Sequence, residues 1–373
     1  MNFVTVTCLT RVPTSILNAG SDGRPKQMPW GEHDSDYRQY VSAQCQKYWL
    51  RKSPAFMALG TTLGMAATVR TVNQFGDRFV KRLTELGIDH EQATAWTAEC
   101  RALFTAGKDA PVALGEVERE ALAKACASLH EQGRQAVEEV KDGKKTVVVH
   151  PLADHLKKSP LVDPKASGLD AAVFGRMATA EHVCTVRSAM HVAPAIGARS
   201  YIPIDDFFSA TDDHPREGQG QGAGHIGDKE LAPPSLFLRQ AVVDLDQLAK
   251  NLGFGAGSEA LAQAVAGLVD AFVRSFTNSG ITSTGAYART VEALVEITDR
   301  QPTTSVETIR KGCDDATVIW QRILDDRALE HGDYGPPMAS ITLAGCRGGN
   351  SPAFDALRQL VQEALQQPAA EAA

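Results

Sequence analysis

A chain of 373 residues, 43% hydrophobic and 22% charged, is long enough to bury one elaborated core or two smaller ones. Its formal net charge of −7 sets it apart from strongly basic proteins that coat nucleic acid indiscriminately. No apolar run approaches the roughly 20 residues of a membrane span, and the first residues, MNFVTVTCLTRV, lack the basic and apolar regions of a secretory signal.

Phe3–Thr10 alternates, with Val4, Val6 and Cys8 on one side and threonines on the other, which predicts a half-buried strand. From Thr14 to Gln39 the pattern dissolves into Gly, Pro, Asp and Ser, the composition of a long functional loop. Ser42 then caps a helix running to about Arg51. Alanine-rich helical periodicity follows over Thr61–Leu86, Glu91–Ala106 and Glu116–Val140, a helical insertion. A strand-like apolar run, Ala171–Phe174, ends abruptly at Gly175-Arg176-Met177. A polar, aromatic-tipped segment spans Gly197–Gly227. Beyond it, Ser235–Leu245 reads as a strand, Ser258–Phe276 as an amphipathic helix, and Tyr287–Thr298 as a strand or a helix. Thr304–Leu329 reads as a helix, Ala339–Ala344 as a strand and Ser351–Gln366 as a final helix. This order predicts an α+β fold with two insertions, for which a ferredoxin-like sheet of the RNA-recognition type is the natural core.

Three segments carry chemistry. Between Tyr37 and Lys52 stand Arg38, Lys47, Arg51 and Lys52 with no acid among them, either a solvated helix face or a grip for phosphate. Lys47 and Arg51 are four apart and share a helix face, beside the backbone amides exposed at Ser42. At Gly175-Arg176-Met177, the glycine permits close approach, the arginine offers a phosphate fork and the methionine a soft apolar probe; the bland alternative makes Met177 core filler. In Ile204–Asp213, adjacent Phe207 and Phe208 point to opposite faces of a strand, so one of them is an exposed stacking surface unless both pack on the body of the domain.

Other patterns are bland. The glycine run Gly218, Gly220, Gly222 and Gly224 neither follows an apolar strand nor opens a helix, so a flexible hairpin return is expected rather than a dinucleotide fingerprint. His150, His155, His182, His191, His225 and His331 show no zinc spacing, and no metal or cofactor is expected. Cys8, Cys45, Cys100, Cys126, Cys184, Cys313 and Cys346 form no CxxC pair, which fits a reducing cytoplasm.

These segments together resemble the CasC family, the repeated backbone subunit of Cascade, the type I-E CRISPR surveillance complex. The family carries SxLN, a loop lysine and a helix like SxQxxK(x)₃R, matched here by Ser15–Asn18, Lys26, and Ser42, Gln44, Lys47 and Arg51. It carries a GRM element matched by Gly175-Arg176-Met177, and a thumb hairpin whose contact pair is matched by Phe208 and Ser209, with Phe207 in place of a tryptophan. Gly222–Gly227 and Val242–Gly253 are also family-like. The resemblance implies a hand: palm over 1–57, helical fingers over 58–165, palm over 166–196, thumb over 197–227, palm over 228–367 and a frayed tail at 368–373. It implies RNA contacts at Lys26, Ser42, Gln44, Lys47, Arg51, Arg176, Met177, Phe208 and Ser209, with Arg176 equally open as a structural partner. Its implied partners are CRISPR RNA, target DNA through the guide, further copies of itself and other Cascade subunits, with no membrane and no catalysis.

Two departures qualify the match. The family's usually basic loop is here acidic, with Glu32, Asp34 and Asp36, and Ile281, Thr282 and Ser283 replace lysine and glutamine positions. The acids leave open a strand-cleaving subunit in which Asp34 or Asp36 holds a hard cation. A standalone α+β enzyme is the reading from a different class.

Overall fold

The computed structural model describes residues 2–66, 68–105, 111–142, 145–161, 163–177, 185–211, 223–344 and 352–366. The chain opens with β1 (Phe3–Val12), β2 (Gln27–Pro29) and β3 (Tyr37–Val41), then α1 (Ala43–Arg51) and α2 (Pro54–Thr62). The helical stretch holds β4 (Val69–Thr71), α3 (Asp77–Glu85), α4 (His90–Thr105), β5 (Val112–Leu114) and α5 (Glu116–Glu131). It closes with β6 (Glu138–Asp142), β7 (Lys145–Val149), α6 (Pro151–Lys158) and α7 (Leu169–Phe174). Next come β8 (Met190–Val192), β9 (Ala195–Ser200), β10 (Ile204–Thr211), β11 (Ala223–Leu231) and β12 (Ser235–Asp244). The chain ends with α8 (Leu245–Leu252), α9 (Glu259–Arg274), α10 (Ile281–Thr284), β13 (Arg289–Thr298), α11 (Ala316–Tyr334), β14 (Ala339–Ala344) and α12 (Pro352–Gln366). No helix among the described residues is long and apolar enough to cross a membrane. The fold is α+β, as the order of elements predicts.

The chain divides into two compact units. The first comprises 1–56, 191–245 and 257–373, and the second 57–190 and 246–256. In the first, the main sheet runs β14-β13-β1-β12-β9-β3-β2. The strands β1, β9, β12 and β13 thus stand in the spatial order fourth, first, third, second, and each neighbour is antiparallel.

Both faces of β1 are covered over Val4–Thr10, which is buried at every position rather than half-buried, while Arg11 is exposed. Its odd-numbered face joins Leu9, Ile196, Leu236 and Leu238 to Ile319 and Ile323 of α11. On the even-numbered face Arg239, paired with Cys8, is fully desolvated beneath the rings of Phe272 and Phe276, 4.4 and 4.5 Å from its guanidinium carbon. Burial pulls its pKa down to about 10. Its fork donates to the carbonyls of Phe272 (2.9 Å) and Ser275 (2.6 Å) and to Thr10 (3.2 Å), pinning the end of α9 to the sheet.

The second unit packs α3, α4, α5 and α6 around Phe79, Leu83, Trp96, Leu122 and Leu152. Residues 166–190 cluster with this unit. Asp170 accepts from the Thr68 amide (2.6 Å), and Arg176 binds into the first turn of α5.

Several expectations are corrected. Leu169–Phe174 is a helix, not a strand. Five apolar residues and one aspartate have no period of their own, and Gly168 and Gly175, at φ +95° and +79°, bracket a short, largely buried helix. The loop expected over 14–39 contains β2 and the start of β3. The helix expected over Thr61–Leu86 is interrupted by β4, and the Glu116–Val140 helix stops at Glu131. The Thr304–Leu329 helix is a short 3₁₀ turn, Val306–Ile309, followed by α11, which starts where the Asp315 side chain caps Thr317 and Val318.

Candidate nucleic-acid interface

Ser15–Asn18 is the hub of the first unit's charged face. The backbones of Ser15 and Ala232 exchange two hydrogen bonds (3.1 and 2.9 Å), tying this loop to the base of the β10–β11 pair. Leu17 is buried, and its carbonyl accepts from Thr277 (2.9 Å). The Asn18 side chain accepts from the Ser42 amide (2.9 Å), and its backbone carbonyl accepts from the Lys26 amide (2.8 Å). One short motif therefore sets the hairpin base, the start of α1 and the position of Lys26.

Helix α1 begins as expected, with the Ser42 hydroxyl accepting from the Cys45 amide (3.3 Å). Gln46 and Leu50 form the buried face, and the Gln46 amide donates to the Ala193 carbonyl (2.8 Å). That anchor turns Gln44, Lys47 and Arg51 onto one outward stripe. Lys47 is half-buried, and its pKa is lowered first by desolvation and then by Arg51. Burial likewise raises the Cys45 thiol, while Thr277 and the nearby Lys26 lower it. Lys47 and Arg51 thus stand close enough to repel, with Lys26 near Cys45 of the same helix, and an anion laid beside the pair would relieve that repulsion.

Arg38, from the same basic run, is not part of this face. It is buried, donating to the carbonyls of Trp30 (3.1 Å), Ala198 (2.9 Å) and Arg310 (3.0 Å) and to Asp36 (2.7 Å). Asp36 is therefore committed to Arg38, and Asp34 stands exposed. Among the described residues no cluster of three or more His, Cys, Asp or Glu is arranged to hold a metal.

In the second unit, Arg176 is a buried ion-pair partner. Its fork grips Glu118 through two bonds (2.5 and 2.8 Å), both side chains almost wholly buried. Glu118 also accepts from the Gly115 amide (2.9 Å), so the pair closes the start of α5. The backbones of Arg176 and Val186 exchange two 2.9 Å bonds that hold the turn. A Cβ on Gly175 would lie 2.9 Å from the Ser188 amide and the Val186 carbonyl, which is why glycine stands there. So held, Met177 is 86% exposed, which excludes the core-filler reading.

Strands β10 and β11 pair from Ile204–Leu231 inward, with Phe208 opposite Gly227. The Phe208 ring lies over Gly227, where a Cβ would come within 2.5 Å of it, and the Lys229 ammonium is 5.3 Å from the ring centre. Phe207 and Ser209 are exposed, Phe207 at 68%. At the base, the Tyr201 hydroxyl donates to Glu230 (2.5 Å), with Arg24 3.7 Å from the same carboxylate. The expectations on Thr179, His182, Cys184, Asp212, Asp213, the glycines at 218–222, Cys346 and the tail at 368–373 lie outside the described residues.

Sequence reasoning missed Glu118 and Arg239's aromatic seat. Glu118 left one signal, an acid three residues past the Gly115 helix start; Arg239 left none beyond a cation inside an apolar strand.

A family model described as CT1975-like protein matches residues 4–318. No curated protein matches the sequence. A chain of a solved structure titled "CRISPR RNA-guided surveillance complex, pre-nicking" shares the fold with TM-score 0.73 and 19% identity, over 97% of this chain and 100% of that one. A chain titled "CRISPR RNA-guided surveillance complex" aligns with TM-score 0.63 and 17% identity, over 97% and 99%.

Proposed function

The chain belongs to the CT1975-like family of Cas proteins, and on that premise we propose that it is the RNA-binding backbone subunit of a Cascade-type CRISPR surveillance complex. The proposal specifies a CasC protein of the type I-E class. It polymerises along one CRISPR RNA, beside the other Cascade subunits, and presents the guide for pairing with target DNA. Its site is cytoplasmic and it does not cut. The observation that carries this reading is the outward stripe of Gln44, Lys47 and Arg51 on α1, with Lys26 beside it. The length over which the fold matches chains of surveillance complexes adds support.

The mechanism follows from the chemistry of that face. Ser42 spends its hydroxyl on capping, so the start of α1 is rigid when phosphate arrives. Lys47 and Arg51 meet successive phosphates, and none of these groups reads a base edge, so the grip is blind to sequence. Sequence reading passes to Watson–Crick pairing. The antiparallel order of β13, β1, β12 and β9 agrees with a ferredoxin-like palm, β10–β11 with a thumb whose Phe208 and Ser209 touch RNA, and α3–α6 with fingers. Exposed Met177 supplies an apolar contact to bases. With Asp36 bound to Arg38, strand cleavage at the acidic loop has lost one of its two carboxylates.

Salt titration tests the grip. About three charged contacts per subunit predict a slope of log K on log salt of roughly −2, the same for unrelated RNA sequences. A slope near zero, or affinity that follows base sequence, contradicts it. Cleavage of bound strand lost on Asp34→Ala would overturn the non-catalytic assignment.

A further inference from the structure

The first unit holds a cleft of about 390 Å³ between the C-terminal end of α1 and the segment that follows α9. That volume lies within the range of small-molecule sites. Trp49 and Tyr287 supply aromatic walls, Tyr287 being 76% exposed. Lys52, whose ammonium donates to the Tyr48 hydroxyl (2.7 Å), and Arg274, paired with Asp270 on its own helix (2.6 Å), stand among the lining residues with Asn278. No carboxylate stands among the lining residues. The floor is prefixed, because the buried Arg239 holds the Ser275 carbonyl (2.6 Å) and stacks on Phe276. Two aromatic faces, two cations and an amide are the groups that receive a planar base, its phosphate and its hydrogen-bonding edge.

We infer that this cleft is a nucleotide pocket that holds one unstacked base and its phosphate. The inference deepens the reading of α1 as a phosphate-gripping face and rests on it. Lys52 caps the C-terminal end of α1, one residue past Arg51, so the cleft lies beside the end of that stripe. Backbone grip alone has no use for aromatic walls beside that stripe.

The test uses the full chain with a 4-thiouridine-substituted single-stranded RNA, and in parallel adenosine and uridine monophosphates. Photo-crosslinks are expected on the peptides carrying Trp49 or Tyr287. Tyr287→Ala should lower RNA affinity about five- to tenfold without changing the melting temperature or the salt slope. Saturable monophosphate binding abolished by Tyr287→Ala, without crosslinks from the strand, would assign the pocket to free nucleotides; crosslinks without monophosphate binding would assign it to the bound strand. If Lys47→Ala with Arg51→Ala abolishes RNA binding while Tyr287→Ala changes nothing and no crosslink reaches the cleft, the pocket is disproved and the α1 grip stands. If RNA does not bind but monophosphates do, the grip falls and the pocket stands. Capture of a second copy by a benzoylphenylalanine placed at Tyr287, in RNA-free protein, would make the cleft a joint between copies and overturn the inference.

Discussion

Arg176 and Met177 are neighbours in opposite surroundings, one buried in an ion pair and the other exposed, and single substitutions separate them. Arg176→Ala would leave Glu118 buried without its partner, a loss of about 3–5 kcal/mol from the second unit, read by thermal or denaturant unfolding. Met177→Ala should leave the melting temperature unchanged and weaken guide or target binding. Lys47 shows a trade between stability and function. Desolvation and Arg51 both lower its pKa in the folded chain, so its charged form is a cost at neutral pH that fades as pH rises. Lys47→Met should therefore raise the melting temperature while reducing RNA affinity. Loss of stability in that variant would show that Lys47 is held by favourable contacts instead.

At the scale of elements, what could be read from the sequence was what has a period or a cap. The alternation of Phe3–Thr10 announced β1, and the serines at 42 and 258 announced α1 and α9, because an N-cap hydroxyl is a local signal. The stripe at Gln44, Lys47 and Arg51 was legible for the same reason. Helix α7 was not, since Leu169–Val173 are buried all round and a tertiary bond from Thr68 to Asp170 holds the start of the helix. The second covered face of β1 was equally hidden, because Thr7 on it accepts a hydrogen bond inside the protein, from the Gln240 amide (3.3 Å). Arg38 counted as one of four surface cations until its carbonyl partners, up to 272 residues away, took it inside. For the β10–β11 pair, the Tyr201–Glu230 bond is the clasp at the base. Tyr201→Phe should speed amide exchange in 204–211 and 223–231 tenfold or more without lowering global stability, a hydrogen bond to a charged acceptor being worth about 1.5–3 kcal/mol. Unchanged exchange would mean that the Ser15–Ala232 backbone pair holds the base alone.

For the whole molecule, an acidic chain with a small cationic face suits a protein that must bind one strand in register and release others. The two units supply different tools: the first a rigid sheet carrying α1, the β10–β11 pair and the aromatic cleft, the second a clasped turn presenting Met177. On the proposed reading none of these tools reads sequence, and their value multiplies when copies line up on one RNA. The most direct measurement is the mass and nucleic-acid content, by light scattering with dual-wavelength absorbance, of the chain purified after co-expression with its neighbouring genes and a repeat array. The account predicts a particle of several copies bound to a protected RNA of uniform length. A monomer or dimer free of nucleic acid would contradict it.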